Sequence, residues 1–259
     1  MNLSDLGLLA LVEGAADILP VDASTHAMIV GRLLRVRAGS LAPALHLGVA
    51  LALALYFWRE IALIGSGLWK LRKLRIEAGT RLLAKLLVAA VPFLLLDFGI
   101  GGVNLPEVGS VFWIGVITIL FALLMLFADR LSLTVKRIDH IGGLTSLAVG
   151  IAQMAALVDG VGRLPAALVM ARLFGMERSD ALRFVLLTSL IILLVEGVAD
   201  FVHAGHAVAG ADGLALGLSF IAAMIALPIA FALIRRGGLL PFALYRLLFG
   251  AALVALGLL

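Results

Sequence analysis

From Ser110 to Ala128, and again from Leu214 to Ile234, the chain runs without one charged residue. Each run is long enough to cross a hydrocarbon core of about 30 Å as an α-helix. Further apolar stretches recur at Leu41 to Phe57, Leu82 to Phe98, Ile141 to Val158, Phe184 to Ala199 and Leu240 to Leu259, with shorter pieces at Leu3 to Leu19 and Ala27 to Leu34. Inside lipid every backbone amide must find its partner within the protein, so runs of this kind become helices. The pattern predicts an all-α, polytopic membrane protein forming a single integral membrane domain over 1–259. About six transmembrane helices are expected, and the short pieces are left for segments that enter and leave by one face. Only 14% of the residues are charged and 63% are hydrophobic, against about a quarter charged in soluble domains, which excludes an ordinary soluble globule.

The net charge of +4 and the pI near 10.0 do not point to nucleic acid, because the basic residues sit between the apolar runs. Lys70, Arg72, Lys73 and Arg75 lie in the connection from Arg59 to Arg81, Arg130, Lys136 and Arg137 in that from Asp129 to His140, and Arg235 and Arg236 follow a later run. The positive-inside bias assigns these connections to the cytoplasmic side. The segments Asp97 to Gly109 and Asp200 to Gly213 contain no Lys or Arg and are expected outside. Arg172, Arg178 and Arg183 then return the chain to the inside, so Ile141 to Ala171 is expected to be a re-entrant pair. The segment through Leu34 becomes a second such pair from the opposite face, which puts Arg32, Arg35 and Arg37 outside, against the bias. Absence of cysteine excludes disulfides, thiol catalysis and thiolate metal sites. The first run has no basic leader and is interrupted by Glu13 and Asp17, so it does not read as a cleavable signal.

An internal echo links the two re-entrant pairs. Leu11-Val12-Glu13-Gly14, then Asp17 and Leu19-Pro20, is repeated as Leu157-Val158-Asp159-Gly160, then Arg163 and Leu164-Pro165. Entry from opposite faces makes these inverted repeats, about 1–128 and 141–259, and such folds place ligand sites where broken helices meet near mid-membrane.

Glu13, Asp17, Asp22 and His26 concentrate ionisable groups in one short stretch. A carboxylate at bilayer depth costs about 2.5 to 3.5 kcal/mol, so several together require a cation, a proton or a water-filled cavity. Glu13 and Asp17, four residues apart, project from one helical face and suit a hard divalent cation, unless they are solvated acids near the surface. Pro20 should end that helix, leaving Val21 to Thr25 as a turn. Asp22 there either caps the next helix or takes part in chemistry, and the hydroxyls of Ser24 and Thr25 flank a helix N-terminus of the kind that holds phosphate. His26 is either an acid or base or a packed structural histidine. Arg163 keeps its charge and so needs an anion, either a phosphate or the first repeat's carboxylates. Glu196, Asp200, His203 and His206 have metal-like spacing but are read as a solvated loop, and Arg246 either snorkels or reaches inward.

At these residues the chain resembles the undecaprenyl-pyrophosphate phosphatase family of the BacA type. The family's EGxxEFLPVSSTGH motif is matched by Glu13-Gly14-Ala15-Ala16-Asp17-Ile18-Leu19-Pro20-Val21-Asp22-Ala23-Ser24-Thr25-His26. Leu47-Gly48, Phe57-Trp58-Arg59 and Pro241-Phe242 with Tyr245-Arg246 resemble its LG, FWR and PFxxYR elements. The resemblance implies a hydrolase that removes one phosphate from a C55 polyprenyl pyrophosphate in the bacterial inner membrane, with its site facing the periplasm and in support of lipid-carrier recycling. It implies a divalent cation, Mg or Ca, held by Glu13 and Asp17. Arg163, Thr25, Gly160 and Gly162 are implied to bind substrate, His26, Arg163, Ser24 and Asp22 to serve catalysis, and a homodimer is left open.

The departures fall on the chemistry. Asp17 replaces a glutamate, and Asp22 and Ala23 replace the paired serines, so Ser24 serves as nucleophile only if the turn shifts by one residue. The second motif, PGxSRSxxT, appears as Asp159-Gly160-Val161-Gly162-Arg163-Leu164-Pro165-Ala166-Ala167, in which the arginine survives without its hydroxyl companions. A water-based attack is therefore expected over a covalent one. The alternatives are a lipid-phosphate binder or transporter that does not hydrolyse its ligand, and a proton- or metal-coupled transporter.

Overall fold

The computed structural model describes residues 2–35, 41–100, 110–133, 136–203 and 210–258; Arg37, the 101–109 segment and His206 lie outside them. The described residues form eleven α-helices. In chain order they are α1 (Leu3–Ala16), α2 (Ala23–Leu34), α3 (Ala42–Tyr56), α4 (Trp58–Leu71), α5 (Ala78–Ile100), α6 (Val111–Leu131), α7 (Gly143–Gln153), α8 (Arg163–Leu173), α9 (Arg178–His203), α10 (Gly210–Gly237) and α11 (Leu240–Leu258). Five of these, α5, α6, α9, α10 and α11, are long and apolar enough to cross a membrane, or six spans result if α3 and α4, bent by 80°, count as one.

α1, α2, α7 and α8 have 14, 12, 11 and 11 residues. At a rise of about 1.5 Å per residue each falls short of the bilayer core, so they are paired half-length elements. α1 and α2 are joined through the turn containing Pro20, and α7 and α8 through a 3-10 turn at Met154–Leu157 and the glycines that follow. The connection expected from Arg59 to Arg81 is itself mostly helical, because Trp58, Ile61, Leu68 and Trp69 recur at helical spacing and form α4.

α9 is the central element, packed by α3, α5, α8 and α10, and its N-terminal half is buried. α1 and α3 lie against α10, α7 against α5, and α6 against α11. The last pair crosses closely where Gly115 meets Gly250: a Cβ on Gly115 would sit 2.7 Å from the Gly250 carbonyl oxygen. Small residues at such crossings allow the backbone contact that drives helix association in lipid.

Arg137, Arg172, Arg178 and Arg183 gather at one end of the bundle, around Asp129, Asp180 and Glu60. Arg183 pairs with Glu60 at 3.5 Å, and Lys85 Nζ donates to the Asp139 carbonyl at 3.0 Å. At that end Asp129, buried on α6, ties four elements together. Its carboxylate accepts Arg172 Nε at 2.9 Å, Arg178 Nε at 3.0 Å and Nη2 at 2.9 Å, and the Leu239 amide at 3.2 Å. Arg172 is 1% exposed and also donates to the Met176 carbonyl. Breaking a buried ion pair by removing one partner strands the other charge, at about 3–5 kcal/mol. Asp129→Ala is therefore expected to lower the unfolding midpoint in detergent more than Arg178→Ala, whose side chain is 44% exposed. Equal shifts would mean that burial of the Arg172 charge does not govern this junction.

Candidate active site

Toward the opposite end the bundle encloses a cavity of about 290 Å³. It draws Glu13 and Asp17 from α1 and its end, Asp22 and Ser24 from the turn into α2, His46 from α3, Phe93 and Asp97 from α5, Arg163 from the start of α8, and Glu196 from α9. Arg163 and Glu13 thus share one chamber, so the two broken-helix pairs do meet. Asp97 stands about 28 Å along α5 from Ala78, and Glu196 about 27 Å along α9 from Arg178, at 1.5 Å per residue. The rim of the cavity at Asp97 and Glu196 is thus nearly one hydrocarbon thickness from the basic end, while Arg163 stands only about 14 Å along α8 from Arg172, so the chamber reaches toward mid-depth.

Several polar atoms of the cavity lining are unspent. Glu13 Oε2, Asp17 Oδ2, His46 Nδ1 and Arg163 Nη1 are buried with no hydrogen-bond partner. Buried polar atoms are almost always paired, so a set of opposite sign around one space marks a place for a ligand. His46 lies between two acids, with Nε2 at 3.9 Å from Glu13 and Nδ1 at 4.0 Å from Glu196, both beyond hydrogen-bond length. The Arg163 guanidinium rests over the Phe93 ring at 5.4 Å. Arg163 also begins α8, whose N-cap, Gly162, makes no side-chain hydrogen bond to the helix. An uncapped helix N-terminus with a guanidinium on its first residue favours an anion.

Glu13 and Asp17 offer carboxylate oxygens one helical turn apart, which fits a hard divalent cation. Among the described residues no three His, Asp or Glu side chains are arranged to hold a metal by themselves. The donor set suits an ion whose coordination is completed by phosphate oxygens and water, as is usual for Mg²⁺.

Asp22 is 3% exposed and its two oxygens are fully engaged. Oδ1 accepts from the Ser24 hydroxyl at 2.7 Å and the Thr25 amide at 3.5 Å; Oδ2 accepts from the Thr25 hydroxyl and, at 2.7 Å, from the Gly160 amide. The Gly160 amide also reaches Thr25 Oγ1 at 3.2 Å, and the Gly160 carbonyl accepts from Arg246. That arginine is 1% exposed and lies over Phe121, so it reaches inward. Asp22 is both a cap of α2 and the clasp between the two broken pairs. The clasp needs glycine: Gly160 and Gly162 have φ of +91° and +81°, and a Cβ on Gly160 would lie 2.7 Å from the Ile114 carbonyl oxygen. Thr25, Gly160 and Gly162 accordingly build the turn that carries Arg163, and none of them lines the cavity.

His26 is turned away from this chamber. Its Nδ1 donates to the Asp22 carbonyl at 2.6 Å, its Nε2 faces the Tyr245 hydroxyl at 2.6 Å, and its ring stacks on Phe249 at 4.3 Å. It lines instead an adjoining apolar groove of about 360 Å³ with Leu19, Ile229, Leu233, Phe242 and Tyr245, which meets the cavity at Ala16 and Val21. Glu196 was expected in a solvated loop and faces the cavity because α9 continues to His203. His203 itself binds the Ala199 carbonyl at 2.7 Å. His46 and Asp97 were not singled out in the sequence, although an ionisable residue within an apolar run is itself a signal.

A family model described as Bacitracin resistance protein BacA matches residues 7–252. A protein of Rhodospirillum rubrum named Undecaprenyl-diphosphatase 1 is 36% identical over 274 residues, covering 99% of this chain and 95% of its own. Undecaprenyl-diphosphatase of Ruegeria pomeroyi is 33% identical over 264 residues, with 99% of both chains covered. Undecaprenyl-diphosphatase 1 of Paramagnetospirillum magneticum is 31% identical over 262 residues, covering 99% of this chain and 98% of its own.

The clasp yields a stability prediction. Asp22→Ala removes the carboxylate that accepts from the Thr25 amide and hydroxyl and from the Gly160 amide, leaving Gly160 only its longer bond to Thr25 Oγ1, at about 1–3 kcal/mol for each buried donor left unsatisfied. Asp22→Asn keeps a carbonyl oxygen and should lose clearly less. Thermal unfolding in detergent checks this, and equal losses for the two variants would contradict the assigned role of Asp22.

Proposed function

The chain belongs to the bacitracin resistance protein BacA family, and from that membership and the cavity we propose that it is an undecaprenyl-diphosphatase. It removes the terminal phosphate from a polyprenyl diphosphate, consuming one water and yielding inorganic phosphate and the lipid monophosphate. The observation that carries this reading is the buried, unpartnered set of Glu13, Asp17 and Arg163 atoms around one cavity. The chain is a multi-pass membrane protein. Its placement in the bacterial inner membrane with the cavity toward the periplasm is supported by the distance of the cavity's rim acids, Asp97 and Glu196, from the basic end, read through the positive-inside bias. The two halves are read as an inverted repeat, supported by reciprocal packing: α1 lies on α10 as α7 lies on α5, and α3 on α10 as α9 on α5.

Five carboxylates line the cavity, Glu13, Asp17, Asp22, Asp97 and Glu196, against Arg163 and His46 as basic partners. A diphosphate entering this space adds negative charge, and Glu13 and Asp17 would hold the divalent cation that offsets it. When bound, Mg²⁺ or Ca²⁺ supplies charge neutralisation and orientation of phosphate oxygens. Arg163 donates N–H bonds to the phosphate at the α8 N-terminus, where charge develops as the P–O bond breaks. The groove beyond Ala16 and Val21 receives the first isoprene units, since its lining is apolar and it opens from the cavity. Asp22 Oδ1 holds the Ser24 hydroxyl at 2.7 Å, while its Oδ2 accepts the Gly160 amide of the clasp. A water attack assisted by the cavity's acids fits that arrangement better than a serine freed for covalent chemistry. The carrier alternative, binding a lipid phosphate without hydrolysis, is favoured by the motif hydroxyls that this chain lacks.

Phosphate release from farnesyl or undecaprenyl diphosphate by the purified protein, with Mg²⁺ or Ca²⁺ and with chelator, tests the reading. Wild type is expected to release phosphate in a metal-dependent way. Glu13→Ala and Arg163→Ala should each lose at least about 100-fold in kcat/KM, the scale of a lost charge-stabilising group. Saturable lipid-phosphate binding with no release by wild type would establish the carrier instead. Ser24→Ala should retain activity within about tenfold, whereas a loss on the order of 10³-fold or more would identify Ser24 as nucleophile.

A further inference from the structure

α4 stands apart from the rest of the bundle. It leaves α3 at 80° after Phe57 and is exposed along most of its surface. Only Glu60, Ile64 and Gly67 face the protein to any degree, and the helix packs mainly on the start of α5. At 100° per residue, Trp58, Ile61, Leu68 and Trp69 share one flank, while Arg59, Ser66 and Lys70 share another. Trp58 is 58% and Trp69 66% exposed. The Arg72 guanidinium lies over the Trp69 ring at 4.4 Å and that of Arg59 over Trp58 at 5.5 Å. Beyond α4 come Lys73, Leu74, Arg75 and Ile76, all exposed.

The charges around this helix are unbalanced. Glu60 pairs with Arg183 at 3.5 Å and Glu77 with Lys70 at 3.6 Å, which uses both acids of the segment. Among the described residues Arg59, Arg72, Lys73 and Arg75 have no carboxylate within ion-pair distance. We propose that α4 and the basic segment after it form a docking surface for anionic phospholipid headgroups, with the helix lying along the membrane surface. Trp58 and Trp69, with Ile61 and Leu68, dip into the acyl boundary, and Arg72, Lys73 and Arg75 meet lipid phosphates. Tryptophan over a basic side chain is suited to that depth, where one end is apolar and the other wet. A second copy of the chain fits less well, because an isologous contact here sets the two basic segments against each other.

The test uses the full-length protein in lipid nanodiscs. With Trp113→Phe, Trp58 and Trp69 are the remaining tryptophans. Lipids brominated near the headgroup should quench their fluorescence more than lipids brominated near the chain ends. In nanodiscs mixing phosphatidylglycerol with phosphatidylcholine, native mass spectrometry should find phosphatidylglycerol retained preferentially. The triple variant Arg72→Gln, Lys73→Gln, Arg75→Gln should lower that preference at least about fivefold, with phosphate release reporting that the bundle is intact. Stronger quenching by the deep bromine would place α4 across the membrane and overturn the proposal. Equal retention of the two lipids would also overturn it, as would a dimer that dissociates in the Trp58→Ala, Trp69→Ala variant.

Discussion

Both backbone polar groups of Gly160 are gripped, its amide by the Asp22 carboxylate and its carbonyl by Arg246. A helix that breaks within a membrane exposes amides that water cannot reach, so the break survives only where protein groups take over. Asp22 does this for two breaks at once, because it caps α2 with one oxygen and holds the second broken pair with the other. The position of Arg163, three residues beyond Gly160, follows from that grip. So does the shared chamber in which the acids of α1 face the start of α8.

Charge then decides what the chamber can accept. Carboxylates from α1, α5 and α9 outnumber the basic groups, and Glu13 Oε2 and Asp17 Oδ2 are buried with no hydrogen-bond partner. Left alone, this is an expensive arrangement at membrane depth. It becomes favourable when a cation and a phosphate enter together, each offsetting what the protein leaves unmatched. Mutual dependence of cation and anion is the physical sense of placing Glu13, Asp17 and Arg163 around one space, and it gives the family's chemistry a basis in this chain's own side chains.

Hydropathy was enough to locate the helices, because lipid leaves an apolar run little choice of structure: Leu82 to Phe98 lies within α5, and Leu214 to Ile234 within α10. The stretch from Arg59 to Arg81 was less legible. Its basic residues marked it as a connection, and only the 80° bend after Phe57 makes α4 a separate helix. Within the site, Glu13, Asp17 and Arg163 could be read from spacing and motif. His46, Asp97 and Glu196 could not be joined to them, since their convergence depends on how α3, α5 and α9 pack. His26 shows the converse limit: its place in the motif suggests the cavity, but bonds to the Asp22 carbonyl and Tyr245 hold its ring in the neighbouring groove.

The central claim is that groups from the two broken-helix pairs act on one headgroup. A double-mutant cycle on kcat/KM for metal-dependent phosphate release, combining Glu13→Gln with Arg163→Lys, tests it most directly. Residues serving one ligand are predicted to couple by more than about 1 kcal/mol, so that the double variant loses far less than the sum of the singles. Losses that simply add would contradict the account, by showing that the two side chains act at separate places.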